Sequence, residues 1–122
     1  MPARILIVDD HAIVRTTVGE LLDYYSMQLC GEARDGKEAI DKVIELKPDI
    51  VLMDINMPVM NGTQAAYEIR QIAPATKIVF FTVHDGPEIM TRTRAFAHGF
   101  VSKWTAGTEL IPTLNRVAKM HN

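Results

Sequence analysis

Short runs of apolar residues alternate along the chain with longer stretches in which apolar residues recur at helical spacing. The short runs are rich in branched side chains and are bounded by polar or turn-forming residues, which is typical of buried strands. The predicted strands are 4–8, 27–33, 49–53, 77–82 and 100–103, of which 27–33 has the weaker pattern of an edge strand. The predicted helices are 13–25, 35–46, 63–72, 87–99 and 108–119.

Three of these helices have a clear apolar face that is predicted to pack on the core. The residues on these faces are Val14, Val18, Leu21, Leu22 and Tyr25 in the first helix, Ala39, Ile40, Val43 and Ile44 in the second, and Leu110, Ile111, Leu114 and Val117 in the last. Pro87-Glu88 is a typical start for the fourth helix. Thr108 is the predicted N-cap of the last helix, where Pro112 would remove only one intrahelical hydrogen bond.

The alternation of strands and helices predicts the fold class. Connections that each contain a helix do not allow hairpin pairing, so the strands are expected to form a parallel sheet that helices cover on both faces. In open sheets of this kind, ligands bind outside the carboxyl ends of the strands, where the strand order reverses. The residues that follow the predicted strands are therefore the candidates for function.

Composition narrows the class of protein only modestly. The 122 residues suit one domain, and the 48% apolar and 23% charged residues are an ordinary globular balance. A net charge of −2 does not indicate a nucleic-acid or anionic-membrane surface, and no apolar run reaches the roughly 20 residues of a membrane span. Cys30 is the only cysteine, which excludes an intrachain disulfide and makes a reducing, cytoplasmic setting the expected one.

Polar residues lie at the carboxyl ends of four of the predicted strands. Asp9 and Asp10 follow the first strand and Asp54 follows the third, while Thr82 and Lys103 are the last residues of the fourth and the fifth. Two unit charges about 4 Å apart repel by roughly 4 kcal/mol at an effective dielectric constant near 20, so three adjacent carboxylates need counter-charges. Lys103 supplies one, and a divalent cation with all-oxygen ligands, Mg²⁺ above all, would supply the rest. A carboxylate beside Mg²⁺, a lysine and a hydroxyl suits a nucleophile that accepts a phosphoryl group.

Four motifs, in this order and spacing, resemble the receiver domain of two-component response regulators over nearly the whole chain. They are "VDDH" (8–11), "MDINMPVMNG" (53–62), "FFT" (80–82) and "HGFVSK" (98–103). The resemblance implies a flavodoxin-like (βα)5 fold with a central parallel five-stranded sheet in the order 2-1-3-4-5, and a single receiver domain over residues 1–122 with no effector domain in the chain. The opening "DDHAIVR" is most similar to receivers of LuxR/NarL-type regulators.

The resemblance also implies roles for the residues at the strand ends. Asp54 would be the phosphoacceptor, and Lys103 would pair with it or with its phosphoryl oxygens. Asp10, Asp54 and the backbone carbonyl of Asn56 would bind Mg²⁺, with Asp9 acting largely through water. This assignment would explain why a strand as apolar as Ile50–Met53 ends in a carboxylate.

Two residues would change conformation on phosphorylation. Thr82 would bond a phosphoryl oxygen in the active state, and the aromatic switch residue would be Phe100, which lacks the hydroxyl of the tyrosine common in the family. Val83 replaces a usually small residue and would narrow access to Asp54. His84 and Asn56 overhang the phosphoryl group in the family, so both are candidate modulators of its lifetime, with a merely solvated side chain as the alternative for His84.

Other residues have interpretations that the sequence leaves open. Trp104 stands where many receivers have proline, and would either mark an interaction surface or cover the end of the last helix. His11 is expected at the start of the first helix rather than in a metal site. His98 has no partner that the sequence indicates, and Cys30 is expected to be a small core residue.

The expected partners follow from the same resemblance. A histidine kinase or phosphotransfer protein, or a small donor such as acetyl phosphate, would phosphorylate Asp54, with no turnover of a separate substrate. The face formed by helix 4, strand 5 and helix 5 would then bind a second copy, an output partner or a C-terminal DNA-binding domain outside this chain. Direct binding of nucleic acid or membrane is not expected.

Three other classes compete with this interpretation. A phosphorylation-independent interaction module of the same fold is the main alternative, although the five polar strand-end residues argue against it. An aspartyl phosphohydrolase usually carries its nucleophile on the first strand as Asp-x-Asp, whereas Asp54 follows the third strand and Asn56 lies two residues on. A dinucleotide enzyme is disfavoured because no Gly-x-Gly-x-x-Gly follows the first strand.

Overall fold

The computed structural model describes residues 2–83 and 86–120, and for Ile89 its backbone alone. The strands are β1 (Arg4–Val8), β2 (Gln28–Ala33), β3 (Ile50–Met53), β4 (Lys77–Thr82) and β5 (Gly99–Ser102). The helices are α1 (Ala12–Tyr24), α2 (Gly36–Leu46), α3 (Gly62–Ile72), α4 (Pro87–Thr93) and α5 (Ala106–Ala118), with short 3₁₀ helices at Arg94–Phe96 and Lys103–Thr105. None of the helices in the described ranges is long and apolar enough to cross a membrane.

The sheet has the predicted order and direction. Its five strands are all parallel and lie in the order β2-β1-β3-β4-β5. The register aligns the strand ends, because Val8 pairs with both Ala33 and Met53, and Met53 pairs with Phe80. The flavodoxin-like fold is therefore confirmed, and the residues after β1, β3, β4 and β5 meet at one edge of the sheet.

The core has two layers because successive strand residues point to opposite faces of the sheet. Leu6, Val8, Val51 and Met53 pack with residues of α2 and α3. Ile5, Ile7, Ile50 and Leu52 pack with residues of α1 and α5 on the other side, including the predicted Leu110, Leu114 and Val117. All four residues of β3 are buried, so the strand that leads to Asp54 is held on both faces.

The fourth helix is shorter than the predicted 87–99. α4 ends at Thr93, a 3₁₀ helix covers Arg94–Phe96, and the backbone is extended at Ala97. The cause is a contact with β4, because the His98 N–H donates to the Ile78 carbonyl at 2.7 Å. This bond draws the chain into the sheet, and β5 then begins at Gly99 rather than at residue 100.

The last helix begins earlier than predicted, and Thr108 is not its N-cap. α5 starts at Ala106 with Thr105 in the cap position, directly after the 3₁₀ helix that begins at Lys103. Ser102 initiates this turn because its Oγ accepts the backbone N–H of Trp104 at 3.1 Å. Pro112 therefore lies inside α5 at an exposed position, rather than in its first turn.

Two residues predicted on apolar helix faces are largely exposed. Tyr25 is 54% exposed because α1 ends at Tyr24 and the chain turns at Ser26, which has a positive φ of 59°. Ile44 is 60% exposed because α2 packs through Ala39 and Val43. The predicted faces of α1 and α2 are thus narrower than their apolar patterns suggested.

Candidate functional site

The loop after β3 holds Asp54 in a fixed position. The Asp54 N–H donates to the Val8 carbonyl at 3.0 Å, which continues the β1–β3 pairing to the site residue itself. The Asp54 side chain is only 7% exposed, and its Oδ1 accepts the Asn56 N–H at 3.3 Å. Gly62 closes the loop by donating its N–H to the Ile55 carbonyl at 2.7 Å. These hydrogen bonds therefore fix the position of the Asp54 carboxylate.

The middle of this loop is a tight turn that is tied to α2. The Met60 N–H donates to the Pro58 carbonyl at 2.7 Å, and Val59 between them has a positive φ of 68°. A β-branched residue with this backbone conformation is strained, and such strain is common at functional sites. The Met60 carbonyl in turn accepts the Gly36 N–H at 2.9 Å. The first residue of α2 therefore holds the turn in place.

The two acids after β1 lie beside Asp54 but differ in exposure. The Asp9 side chain is 2% exposed and that of Asp10 is 30% exposed. Ligand atoms of Asp9, Asp10, His11 and Asp54 all lie within 4.8 Å of one another. The structure thus brings together the three carboxylates that the strand pattern predicted at one edge of the sheet.

Lys103 joins two of these acids. Its Nζ donates to Asp9 Oδ2 at 2.6 Å and to Asp54 Oδ2 at 3.0 Å. Burial by itself would lower the pKa of Lys103, but these hydrogen bonds outweigh it and raise the pKa above its ordinary value. The lysine is therefore charged at neutral pH and neutralises one of the three negative charges.

The remaining donor atoms suit a hard divalent cation. Both oxygens of Asp9 are engaged, one by Lys103 and the other by the backbone N–H of His11 at 2.9 Å. Asp10 is more exposed, and Asp54 Oδ1 accepts a long bond from the Asn56 N–H at 3.3 Å. Three carboxylates and one ammonium leave an excess of two negative charges, which oxygen-ligated Mg²⁺ would neutralise. The donor set therefore fits the predicted metal.

His11 lies at the start of α1, as predicted, but its ring also contacts the acids. It occupies the N-cap position, and its side chain is 62% exposed. Nδ1 lies 3.0 Å from Asp9 Oδ1 and 3.3 Å from Asp10 Oδ1. The imidazole therefore adds a hydrogen-bond donor to the acid pair.

The two predicted switch residues lie on neighbouring strands. Thr82 ends β4 and is fully buried. Phe100 on β5 is half-buried, and its ring packs edge-on against Phe80 at a centroid distance of 6.4 Å. A cavity of about 180 Å³ lies beside Phe100, between β5 and α4. The Phe100 ring therefore borders both Phe80 and this open space.

The other predicted residues lie around the site or outside the described ranges. Val83 is 42% exposed, directly after β4. Trp104 is 77% exposed, so it does not cover the end of α5. Cys30 is half-buried, and this burial raises the pKa of its thiol. His84 lies outside the described residues, so the prediction about phosphoryl lifetime stays a prediction.

His98 has a structural role that the sequence did not indicate. Its Nδ1 accepts the Ile78 N–H at 3.1 Å, in addition to the backbone bond that starts β5. Arg70 Nη1 lies 2.9 Å from the other ring nitrogen. Burial, followed by the charges of Arg70 and Lys77, lowers the pKa of His98. Its partners lie 20 and 28 residues away in the sequence, so no local pattern indicated them.

The lowered pKa of His98 predicts a pH-dependent stability. The unfolded chain binds a proton near the ordinary pKa of about 6.5, whereas in the folded protein burial, and then the charges of Arg70 and Lys77, disfavour the protonated ring. The free energy of unfolding should therefore fall as the pH is lowered from about 7 to about 5.5. His98→Asn keeps an acceptor for Ile78 but does not titrate, so urea unfolding of this variant should show a smaller loss. Equal losses in both proteins would contradict this role.

The comparisons with known proteins agree with this geometry. A family model described as "Response regulator receiver domain" matches residues 5–115, so the chain belongs to the receiver domains of response regulators. The chain is 38% identical over 120 residues to the chemotaxis protein CheY of Thermotoga maritima, covering 98% of this chain and 100% of that protein. It is 37% identical over 116 residues to the response regulator GacA of Pseudomonas viridiflava, covering 93% of this chain.

Other relatives are LuxR/NarL-type regulators, as the opening motif predicted. The nitrate/nitrite response regulator NarL of Escherichia coli is 34% identical over 119 residues, or 96% of this chain. The chain spans only 54% of GacA and 55% of NarL. Among solved structures, a LuxR-family regulator from Aurantimonas sp. SI85-9A1 has a TM-score of 0.91 at 35% identity, with 97% of this chain and 86% of that chain covered. The response regulator domain of Thermotoga maritima CheB has a TM-score of 0.91 at 30% identity, with both chains fully covered.

Proposed function

We propose that this domain is a phosphoacceptor switch and that Asp54 is its acceptor. The observation that carries the proposal is the Lys103 ammonium, which bridges Asp54 and Asp9 at 3.0 Å and 2.6 Å at the carboxyl edge of the sheet. A buried carboxylate that is held by its backbone and faces a charged lysine is arranged to receive an anionic group. The donor would be the phosphohistidine of a kinase or phosphotransfer protein, or a small molecule such as acetyl phosphate, and these donors place the reaction in the cytoplasm.

The chemistry is one phosphoryl transfer per signalling cycle. An Asp54 oxygen attacks the phosphorus, a new O–P bond forms, and the bond from phosphorus to the donor nitrogen or oxygen breaks. Lys103 neutralises charge on the phosphoryl oxygens, while Asp9 holds the lysine in place. Mg²⁺ held by Asp10, Asp54 and the Asn56 carbonyl would supply further charge neutralisation when bound. No separate substrate is turned over in this cycle.

The phosphoryl group would act on the fold through Thr82 and Phe100. It adds a charge of about −1.5 to −2, which the Thr82 hydroxyl can approach from the end of β4. Movement of Thr82 would make room for the Phe100 ring, which already has a cavity beside it. The surface of α4, β5 and α5, where Trp104 is 77% exposed, would then change its affinity for a partner or a second copy. This chain spans about half of GacA and NarL, and in a protein of that length a segment outside the receiver domain would be the partner that binds this surface.

The test is intact-mass spectrometry after incubation with acetyl phosphate. The wild-type protein should gain one phosphoryl unit in the presence of Mg²⁺ and little with a chelator. Asp54→Asn should gain none, whereas Asp41→Asn, which removes an exposed carboxylate of α2, should behave as wild type. Mass gain by the Asp54→Asn protein would contradict the assignment. No gain by the wild type, from acetyl phosphate or a phosphorylated kinase, would favour the phosphorylation-independent module.

A further inference from the structure

Arg15 is the charged residue of the opening "DDHAIVR" motif that the proposed function leaves without a role. It lies on α1, and its side chain is only 15% exposed. Its Nη1 donates to the backbone carbonyl of Asp9 at 2.8 Å, and its Nε donates to Glu32 Oε1 at 3.0 Å. One guanidinium therefore links α1, the end of β1 and the edge strand β2.

The Asp9 carbonyl needs such a donor because the sheet does not continue past it. The last pair of the β1–β2 ladder is Val8 with Ala33, and the Asp9 N–H donates to the Ala33 carbonyl at 3.0 Å. Beyond this point the segment that follows β2 turns away from β1, because Asp35 is the N-cap of α2. The Arg15 guanidinium thus takes the place of the strand that would otherwise bind the Asp9 carbonyl.

This bond bears directly on the second acid. The Asp9 carbonyl and the Asp10 N–H belong to one planar peptide unit, so fixing the carbonyl fixes the direction in which the chain enters Asp10. Asp10 is the more exposed of the two acids. The direction of its backbone therefore bears on where its carboxylate lies relative to Asp54, together with the His11 ring at 3.3 Å.

We propose that Arg15 is a positioning residue that orients Asp10 for Mg²⁺ by clamping the Asp9–Asp10 peptide against Glu32. The inference rests on the proposed function, because it concerns the metal that Asp10 and Asp54 would hold. As a charge alone, the guanidinium would repel the cation, so its removal would tighten metal binding. As a clamp, it raises affinity, because partners that orient metal ligands contribute roughly 10-fold to 100-fold in binding. The two effects have opposite signs, which makes the role testable.

The test is an NMR titration of the folded protein with MgCl₂, following the backbone amide signals of the strand ends. Arg15→Gln should raise the Kd for Mg²⁺ by about 10-fold. Arg15→Lys keeps the charge but has a single nitrogen in place of the guanidinium fork, so it should also raise the Kd, by several-fold. Arg34→Gln is the matched control, because Arg34 pairs with Glu38 at 3.3 Å on the surface and its loss should leave the Kd near the wild-type value.

The outcomes separate this inference from the proposed function. Mg²⁺ binding by the wild type that is lost in Asp10→Asn, together with a higher Kd in both Arg15 variants, would support the clamp. An unchanged or lower Kd in Arg15→Gln, or a wild-type Kd in Arg15→Lys, would overturn it while leaving the metal site intact. No Mg²⁺ binding by the wild type, or full binding by Asp10→Asn, would overturn the proposed metal site and the clamp with it.

Discussion

Phosphorylation of Asp54 is expected to slow by about 100-fold or more when Lys103 is replaced by methionine. Methionine keeps much of the length and apolar surface of the side chain but removes the charge that contacts Asp54 Oδ2 at 3.0 Å. The charge on the transferring phosphoryl group would then lack a fixed partner. The measurement is the time course of the intact-mass gain with acetyl phosphate at saturating Mg²⁺.

The same substitution should also destabilise the fold. Asp9 and Asp54 are almost fully buried, and without the shared ammonium their repulsion should lower the free energy of unfolding by about 3 kcal/mol at neutral pH. Lys77→Met is the control, since Lys77 is also a lysine with little exposed surface but lies at the opposite end of β4. A Lys103→Met protein that is phosphorylated as fast as the Lys77→Met control would show that the lysine has no part in the transfer.

Gly62→Ala should cost about 3 kcal/mol in the free energy of unfolding and should displace Asp54. A Cβ at this position would overlap the backbone carbonyl of Asp54 and crowd the Cα of Ile55. These are backbone atoms of the loop after β3, so they cannot move aside as a flexible side chain would. The glycine is required here for space, because its φ is not positive. Urea unfolding gives the stability, and the amide signals of Asp54 and Asn56 report the displacement.

Gly107→Ala is the matched control for this substitution. Gly107 lies in the first turn of α5, where a Cβ would have nothing within 4 Å. Alanine there should stabilise the protein by about 0.5 kcal/mol through its helix preference. If the two variants had the same stability, the close approach of Gly62 to the Asp54 carbonyl would be irrelevant to folding.

The arrangement of the site could be predicted because it depends on strand ends. A run such as 77–82 is short, apolar and bounded by polar residues, and β4 has those limits. Once the strands are parallel, their carboxyl ends share an edge, so Asp9, Asp54 and Lys103 had to lie close together. The apolar pattern of each segment, together with the rule that parallel strands end at one edge of the sheet, was therefore sufficient to predict this part of the molecule.

The remaining features depend on contacts between distant segments. α4 ends early because His98 bonds to Ile78, which lies 20 residues away in the sequence. Arg15 on α1 binds Glu32 on β2, and no sequence pattern links the two residues. Ile44 fits the apolar periodicity of α2, but its exposure depends on how the helix is rotated against the sheet. Periodicity within one segment carries no information on these partners.

The central claim is that the phosphoryl group is attached to Asp54. Borohydride reduction of the phosphorylated protein converts an aspartyl phosphate to homoserine, and tandem mass spectrometry of the peptides then locates it. The expected result is homoserine at position 54, with Asp9 and Asp10 unchanged. Homoserine at either of those positions, or a phosphorylated protein that yields no homoserine, would contradict the account.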